Sequence, residues 1–135
     1  MVELKGYKFN SIEFKNKVAN GTELKLQNQF KYNVNYADRE NKCLGILEFR
    51  VADQQMNPFE IKLEMIAEFT YGADDDKADI HVESFAQMFP YLRQVITTVT
   101  AMSGVPGLMI PFIRLNKENV QIGKPKNEDE EIILN

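Results

Sequence analysis

Leu24-Lys25-Leu26-Gln27-Asn28-Gln29-Phe30-Lys31-Tyr32-Asn33-Val34-Asn35-Tyr36 alternates without a slip. The even positions hold Leu24, Leu26, Asn28, Phe30, Tyr32, Val34 and Tyr36, and the odd ones hold only lysine, glutamine and asparagine. Successive side chains of a strand point to opposite faces, so a period of two predicts a long strand with one packed and one wet face. Residues 59–71 repeat the pattern: Phe59, Ile61, Leu63, Met65, Ala67, Phe69 and Tyr71 share one side, opposed mostly by Glu60, Lys62, Glu64, Glu68 and Thr70. Between these two, residues 43–51 are apolar enough for a third strand. Tyr7, Phe9, Ile12 and Phe14 give a fourth, whose broken spacing predicts a bulge. The links at 36–41 and 53–58 carry short turn chemistry, which suits a meander of the last three strands. The link at 15–22 is longer than a hairpin turn and lets the first strand cross over.

From Ile80 the period changes. Val82, Phe85, Phe89, Leu92, Ile96 and Val99 recur at spacings of three and four, a helical stripe that would lie on the sheet. Pro90 suits a first helical turn better than an interior, so the pattern predicts a helix to about Met88, a break, and a helix to Ser103 stopped by Gly104. The β-branched run at 95–100 pulls the other way, toward strand. The expected fold is α+β: a four-stranded antiparallel sheet with a long crossover after strand one, and a helix broken near Pro90 packed on it. One domain spans residues 1–122, and residues 123–135 form an acidic, flexible tail.

Chemistry-bearing patterns are scarce. The chain of 135 residues has a formal charge of −4, against the clustered cations a nucleic-acid binder needs. No stretch nears the roughly 20 apolar residues that span a bilayer, and the first residues lack a signal peptide's apolar core. With Cys43 the single cysteine, no intrachain disulfide can form, and the expectation is a cytoplasmic protein. His81 is the one histidine, which leaves no triad or histidine-rich metal site. Asp74-Asp75-Asp76 lacks the spaced ligands of a calcium loop, and neither a dinucleotide nor a Walker pattern occurs. No enzyme activity, metal or cofactor is expected.

What remains is Gly104-Val105-Pro106-Gly107-Leu108-Met109-Ile110-Pro111-Phe112-Ile113, apolar yet spoiled for helix and central strand by its prolines and glycines. Such a segment either covers the core or borders an open groove. Phe89, Tyr91, Met102, Met109 and Phe112 nearby suit a surface that takes varied apolar partners, because methionine adapts its shape.

Phe89-Pro90-Tyr91-Leu92-Arg93, the helix ending at Gly104 and the spacing Pro106-x-Leu108-x-x-Pro111 resemble the SecB family of protein-export chaperones, most closely over residues 85–112. The resemblance implies a four-stranded sheet with the helix against it, dimers that continue the sheet through strand one, and dimer pairs that bury the helices. It implies holding of unfolded or export-destined polypeptides without ATP. The client groove would be bordered by Phe14, Val18, Phe89, Tyr91, Leu108, Met109 and Phe112. Ser11, Lys15 and Lys62 stand near positions where family members that hand clients to the translocase motor carry acids, and no helical stripe for the family's second helix follows Asn116. Both departures argue against contact with that motor. Two other readings stay open: a binder of one partner, such as an antitoxin or a single secreted protein, and a small-ligand protein using Arg93, His81 and scattered carboxylates.

Overall fold

The uninterrupted alternation around Phe30 and Leu63 becomes two central ladders. In a computed structural model of the chain, which describes residues 1–116 and 128–130, the strands are β1 (Glu3–Asn16), β2 (Leu26–Ala37), β3 (Lys42–Asp53), β4 (Phe59–Thr70) and β5 (Glu128–Glu130). One helix, α1, spans Lys77–Met102. The sheet order is β1-β4-β3-β2-β5, every neighbouring pair antiparallel. The meander β2-β3-β4 and the crossover that carries β1 to the far side of β4 are both as the link lengths predict. The expected bulge lies between Phe9 and Ser11, where β1 slips one residue against β4 and so keeps Phe9 and Ile12 on the same face. The region after Asn116, where no second helix is expected, and the tail apart from β5 lie outside the described residues.

The inner face is formed by Phe30 and Tyr32 of β2, Leu47, Phe49 and Val51 of β3, and Ile61, Leu63, Met65, Ala67 and Phe69 of β4, all buried. Against it α1 presses Ile80, Phe85, Met88, Phe89, Leu92 and Ile96, each fully buried. Four phenylalanines hold the layers together. Phe85 lies 5.4 Å from Phe30 and 5.1 Å from Phe89, Phe89 lies 5.8 Å from Phe49, and Phe49 stacks on Phe30 at 6.0 Å. The Asp76 carboxylate caps the helix by accepting the Ala78 N–H. Gly104, at φ 95°, takes the left-handed turn that stops it.

The break expected at Pro90 does not occur; α1 runs through it as one helix. A proline inside a helix removes one N–H and crowds the carbonyl four residues back, here that of Ala86. Both Ala86 and Pro90 lie on the exposed face, where water can satisfy the freed carbonyl. Meanwhile Phe85, Met88, Phe89 and Leu92 anchor the stripe on either side of it. The β-branched run at 95–100 is helical as well, and tertiary packing overrides its strand preference.

Two buried polar contacts set the register of helix on sheet. Tyr32, fully buried, hydrogen-bonds through its hydroxyl to Ser84 Oγ, and burial raises its pKa. Its ring crosses β3 where Gly45 leaves room: a Cβ there would stand 2.5 Å from the Tyr32 hydroxyl and 3.2 Å from Met88 sulfur. His81 is buried edge-on against Tyr32 at 4.9 Å, and loss of solvation lowers its pKa to about 4.

Gly45→Ala is expected to lower stability by about 1–3 kcal/mol through overpacking. Tyr32→Phe removes the atom it strikes, so the double variant should be destabilised less than the sum of the two singles in urea melts; additivity would contradict the contact. The unfolded chain protonates His81 below its ordinary value of 6.5, whereas the folded chain resists until about 4. Stability should therefore be complete above 6.5 and fall as pH drops through that window, and His81→Phe should flatten the upper part of the fall.

Candidate functional site

A helix with its side chains is about 10 Å wide, whereas four strands about 4.8 Å apart make a wider floor. Lengths match instead: 26 helical residues and 12-residue strands both reach about 40 Å. One helix therefore covers the inner face end to end but leaves a flank on each side, and the two flanks are treated differently.

On the β1 flank the floor stays partly bare. Tyr7, Phe9, Ile12 and Phe14 pair with Ala67, Met65, Leu63 and Ile61 and so share their inner face. Yet Tyr7 is 46% exposed and Ile12 45%. Tyr91 of α1 leans over this edge with its ring 4.8 Å from that of Tyr7, and Phe14 meets Phe59 at 5.4 Å. Gln87 ties the start of β1 to the helix, accepting the Leu4 N–H and donating to the Val2 carbonyl.

The opposite flank is covered by residues 105–116, an extended strap with no sheet partner. Its prolines and its course along a helix deny it a ladder, and α1 side chains satisfy the backbone of Leu108 and the carbonyl of Ile110 instead. Thr100 Oγ1 accepts the Leu108 N–H at 2.8 Å, Thr97 Oγ1 donates to the Leu108 carbonyl at 2.7 Å, and Arg93 Nε donates to the Ile110 carbonyl at 2.8 Å. At Gly107 the strap comes so close that a Cβ would lie 3.0 Å from the Thr97 methyl. Ile110, Ile113 and Leu115 turn into the core, while Met109 and Phe112 stay 76% and 52% exposed. The Phe112 ring stands edge-on to Phe89 at 6.2 Å, flanked by the guanidinium groups of Arg93 at 5.5 Å and Arg114 at 5.4 Å. Where strap, crossover and sheet end meet, a groove of about 340 Å³ opens between Val18, Leu24, Leu26, Phe59, Pro106 and Leu108.

The seven residues expected at the groove are thus divided. Val18 and Leu108 line it, and Phe14 sits beside it on Phe59. Met109 and Phe112 stand on the strap's outer side, and Tyr91 lies on the other helix flank with Tyr7. Phe89 is not a border residue. One turn after Phe85 on the sheet-facing stripe, it is fully buried between Phe49 and Phe112. Sequence reasoning missed the exposure of Tyr7 and Ile12, which an edge strand wider than its helix would have signalled. It also missed the clamp formed by Arg93, Thr97 and Thr100. Their spacing of four and three places them on one helix face, which was the available signal.

The outer face is polar in the middle. Ser11 and Lys62 line a shallow hollow there with Glu13, Glu48, Arg50 and Glu64, and Lys15 pairs in register with Glu60. Arg50 hydrogen-bonds Glu60 and holds its carboxyl below the usual range. Burial pushes the Cys43 thiol up to about 11, which keeps it protonated at neutral pH. Among the described residues no group of three or more histidines, cysteines or carboxylates is placed to hold a metal, and no helix is long and apolar enough to cross a membrane.

No protein-family model and no curated protein matches the chain. Among solved structures, the fold is similar to the Mycobacterium tuberculosis Rv1957 SecB-like chaperone in complex with a ChAD peptide from the Rv1956 HigA1 antitoxin. The TM-score is 0.66 at 15% identity, over 83% of this chain and 90% of that one. A protein of unknown function from Streptococcus agalactiae aligns at a TM-score of 0.49 and 14% identity, over 83% of this chain and 98% of that one. The α+β fold is therefore SecB-like, as the residues around Phe89 and Pro106 imply.

Thr97→Val keeps the side chain's shape and deletes the hydrogen bond to Leu108, a loss of about 1 kcal/mol that should speed amide exchange across residues 108–113 about fivefold. Unchanged exchange in Thr97→Val and in Arg93→Met would show that the clamp does not hold the strap.

Proposed function

We propose that this protein is an ATP-independent, SecB-like chaperone that holds unfolded or export-destined polypeptides on the apolar flanks of α1. The observation that carries the reading is the apolar surface left exposed on both flanks of α1: Tyr7, Ile12 and Tyr91 on the bare edge of the inner face, and Met109 and Phe112 on the outer side of the strap. These side chains are large, apolar and adaptable. A client segment that buries about 300 Å² of apolar surface gains about 7 kcal/mol before the entropy of ordering is deducted, so a single contact is weak. Several contacts along one client act together, because each raises the local concentration for the next. No nucleotide, metal or catalytic step is needed.

The oligomer is a dimer or tetramer in this reading. Among the described residues β1 has no strand partner on its outer side, which leaves an edge for a second copy to continue the sheet. The lysines at positions 15 and 62 argue against handover to the translocase motor, since a partner complementary to carboxylates is repelled there. The setting is the cytoplasm, which suits a single buried thiol, and neither nucleic acid nor membrane insertion has a part.

A second reading is a chaperone dedicated to one partner. It is favoured by the SecB-like neighbour, whose complex contains a peptide from an antitoxin. The same surfaces would then serve one tight ligand rather than many loose ones.

Two unrelated, chemically unfolded proteins diluted without ATP separate these readings. The parent is expected to suppress aggregation of both, and a Tyr91→Glu, Met109→Glu variant with native circular dichroism and native mass by light scattering should lose most of that effect. Suppression of neither by the parent would remove the general holdase and leave the dedicated binder.

A further inference from the structure

The two edges of the sheet are unequal. β1 carries no strand on its outer side among the described residues, whereas β2 carries β5, drawn from the far end of the chain. Phe30, Lys31 and Tyr32 stand in register with Glu130, Asp129 and Glu128, antiparallel. Acidic residues are poor strand formers, and the four consecutive acids at 128–131 have no strand pattern of their own. The edge they meet therefore accounts for the pairing.

That edge is well suited to templating. β2 pairs with β3 over its full 12 residues with no register shift, and it contains no proline. Gln27, Gln29, Asn33 and Asn35 supply neutral amides along its outer face, with Lys31 the one charge. A long, regular, weakly charged edge accepts added strands unless something covers it, and natural proteins commonly defend such edges with charge. β5 lies along this edge, with Asp129 at the register position of Lys31. It engages only three of the 12 residues, so its hold is slight. At about 1 kcal/mol net per hydrogen bond, a longer strand outcompetes it once held nearby.

We infer that Glu128–Glu130 occupies the β2 edge in cis as a displaceable guard, which excludes extended polypeptide segments that would otherwise add to the sheet there. This rests on the holdase reading for the identity of the competitor. Because the guard is tethered, it acts at high effective concentration against free peptides. A client already held on the flanks of α1 reaches a similar effective concentration and displaces it. The edge is thereby reserved for clients that the apolar surface has selected.

Amide exchange across residues 29–33 tests this in three forms: the full chain, Asp129→Pro, and a chain ending at Gly123. Exchange is expected to be at least about fivefold faster in the two altered forms, with β4 amides unchanged. Excess reduced, carboxymethylated α-lactalbumin, a permanently unfolded chain, should then restore protection in the shortened form at concentrations that leave the full chain's β2 unaltered. Equal exchange in all three forms would overturn the guard. Client protection that is absent, or equal in full and shortened chains, would overturn the competition. Aggregation suppression by the same preparations separates the two readings: suppression with unaltered β2 exchange defeats this inference alone, and tail-dependent exchange without suppression defeats the holdase.

Discussion

The structure depends on a mismatch of width. One helix of 26 residues matches 12-residue strands in length, but it cannot cover the four long strands side by side. The phenylalanine cluster of Phe30, Phe49, Phe85 and Phe89 fixes the helix over the middle of the floor. Everything beside it must be covered by other chain or left to solvent. A protein that only needed to be stable would add a second helix or shorten β1. This one lays an extended strap on one flank and leaves the other half bare.

The strap shows how an apolar segment can be kept out of a sheet without stranding its backbone. Prolines at 106 and 111 forbid regular pairing, and Thr97, Thr100 and Arg93 replace the missing ladder with three hydrogen bonds from the helix. Threonine, a poor helix former by propensity, is useful at these positions because its hydroxyl reaches both its own helix and the strap. The arrangement holds Ile110, Ile113 and Leu115 inward and so presents Met109 and Phe112 outward. Burial and display come from the same stretch of backbone, since Met109 and Phe112 each directly precede a buried isoleucine.

Much of this was legible in the residues. The strict alternation through Phe30 and Leu63 announced β2 and β4, and the long link after Phe14 announced the crossover to β4. The slip between Phe9 and Ile12 announced the bulge. Pro90 misled, because local propensity counts the lost N–H and does not see that Phe85, Met88, Phe89 and Leu92 pin both halves of the helix. The site was only half visible for a related reason. Periodicity tells which face of a strand is apolar, but whether that face is covered depends on the width of what packs on it. Tyr7 and Ile12 carry the same pattern as buried Ile61 and Leu63, and only their place at the sheet edge exposes them. Phe89 erred in the opposite sense, since its aromatic character suited a groove while its helical phase placed it in the core.

The central claim is that the two apolar flanks of α1, rather than apolar exposure in general, receive polypeptide. Leu44 offers the sharpest control, since it is 41% exposed on the outer face and Ile12 is 45% exposed on the inner one. A photo-crosslinking amino acid placed in turn at Ile12, Met109 and Leu44, in variants of native fold, would be challenged with an unfolded client. The account predicts strong capture from Ile12 and Met109 and little from Leu44. Capture from Leu44 equal to that from the two flank positions would contradict it.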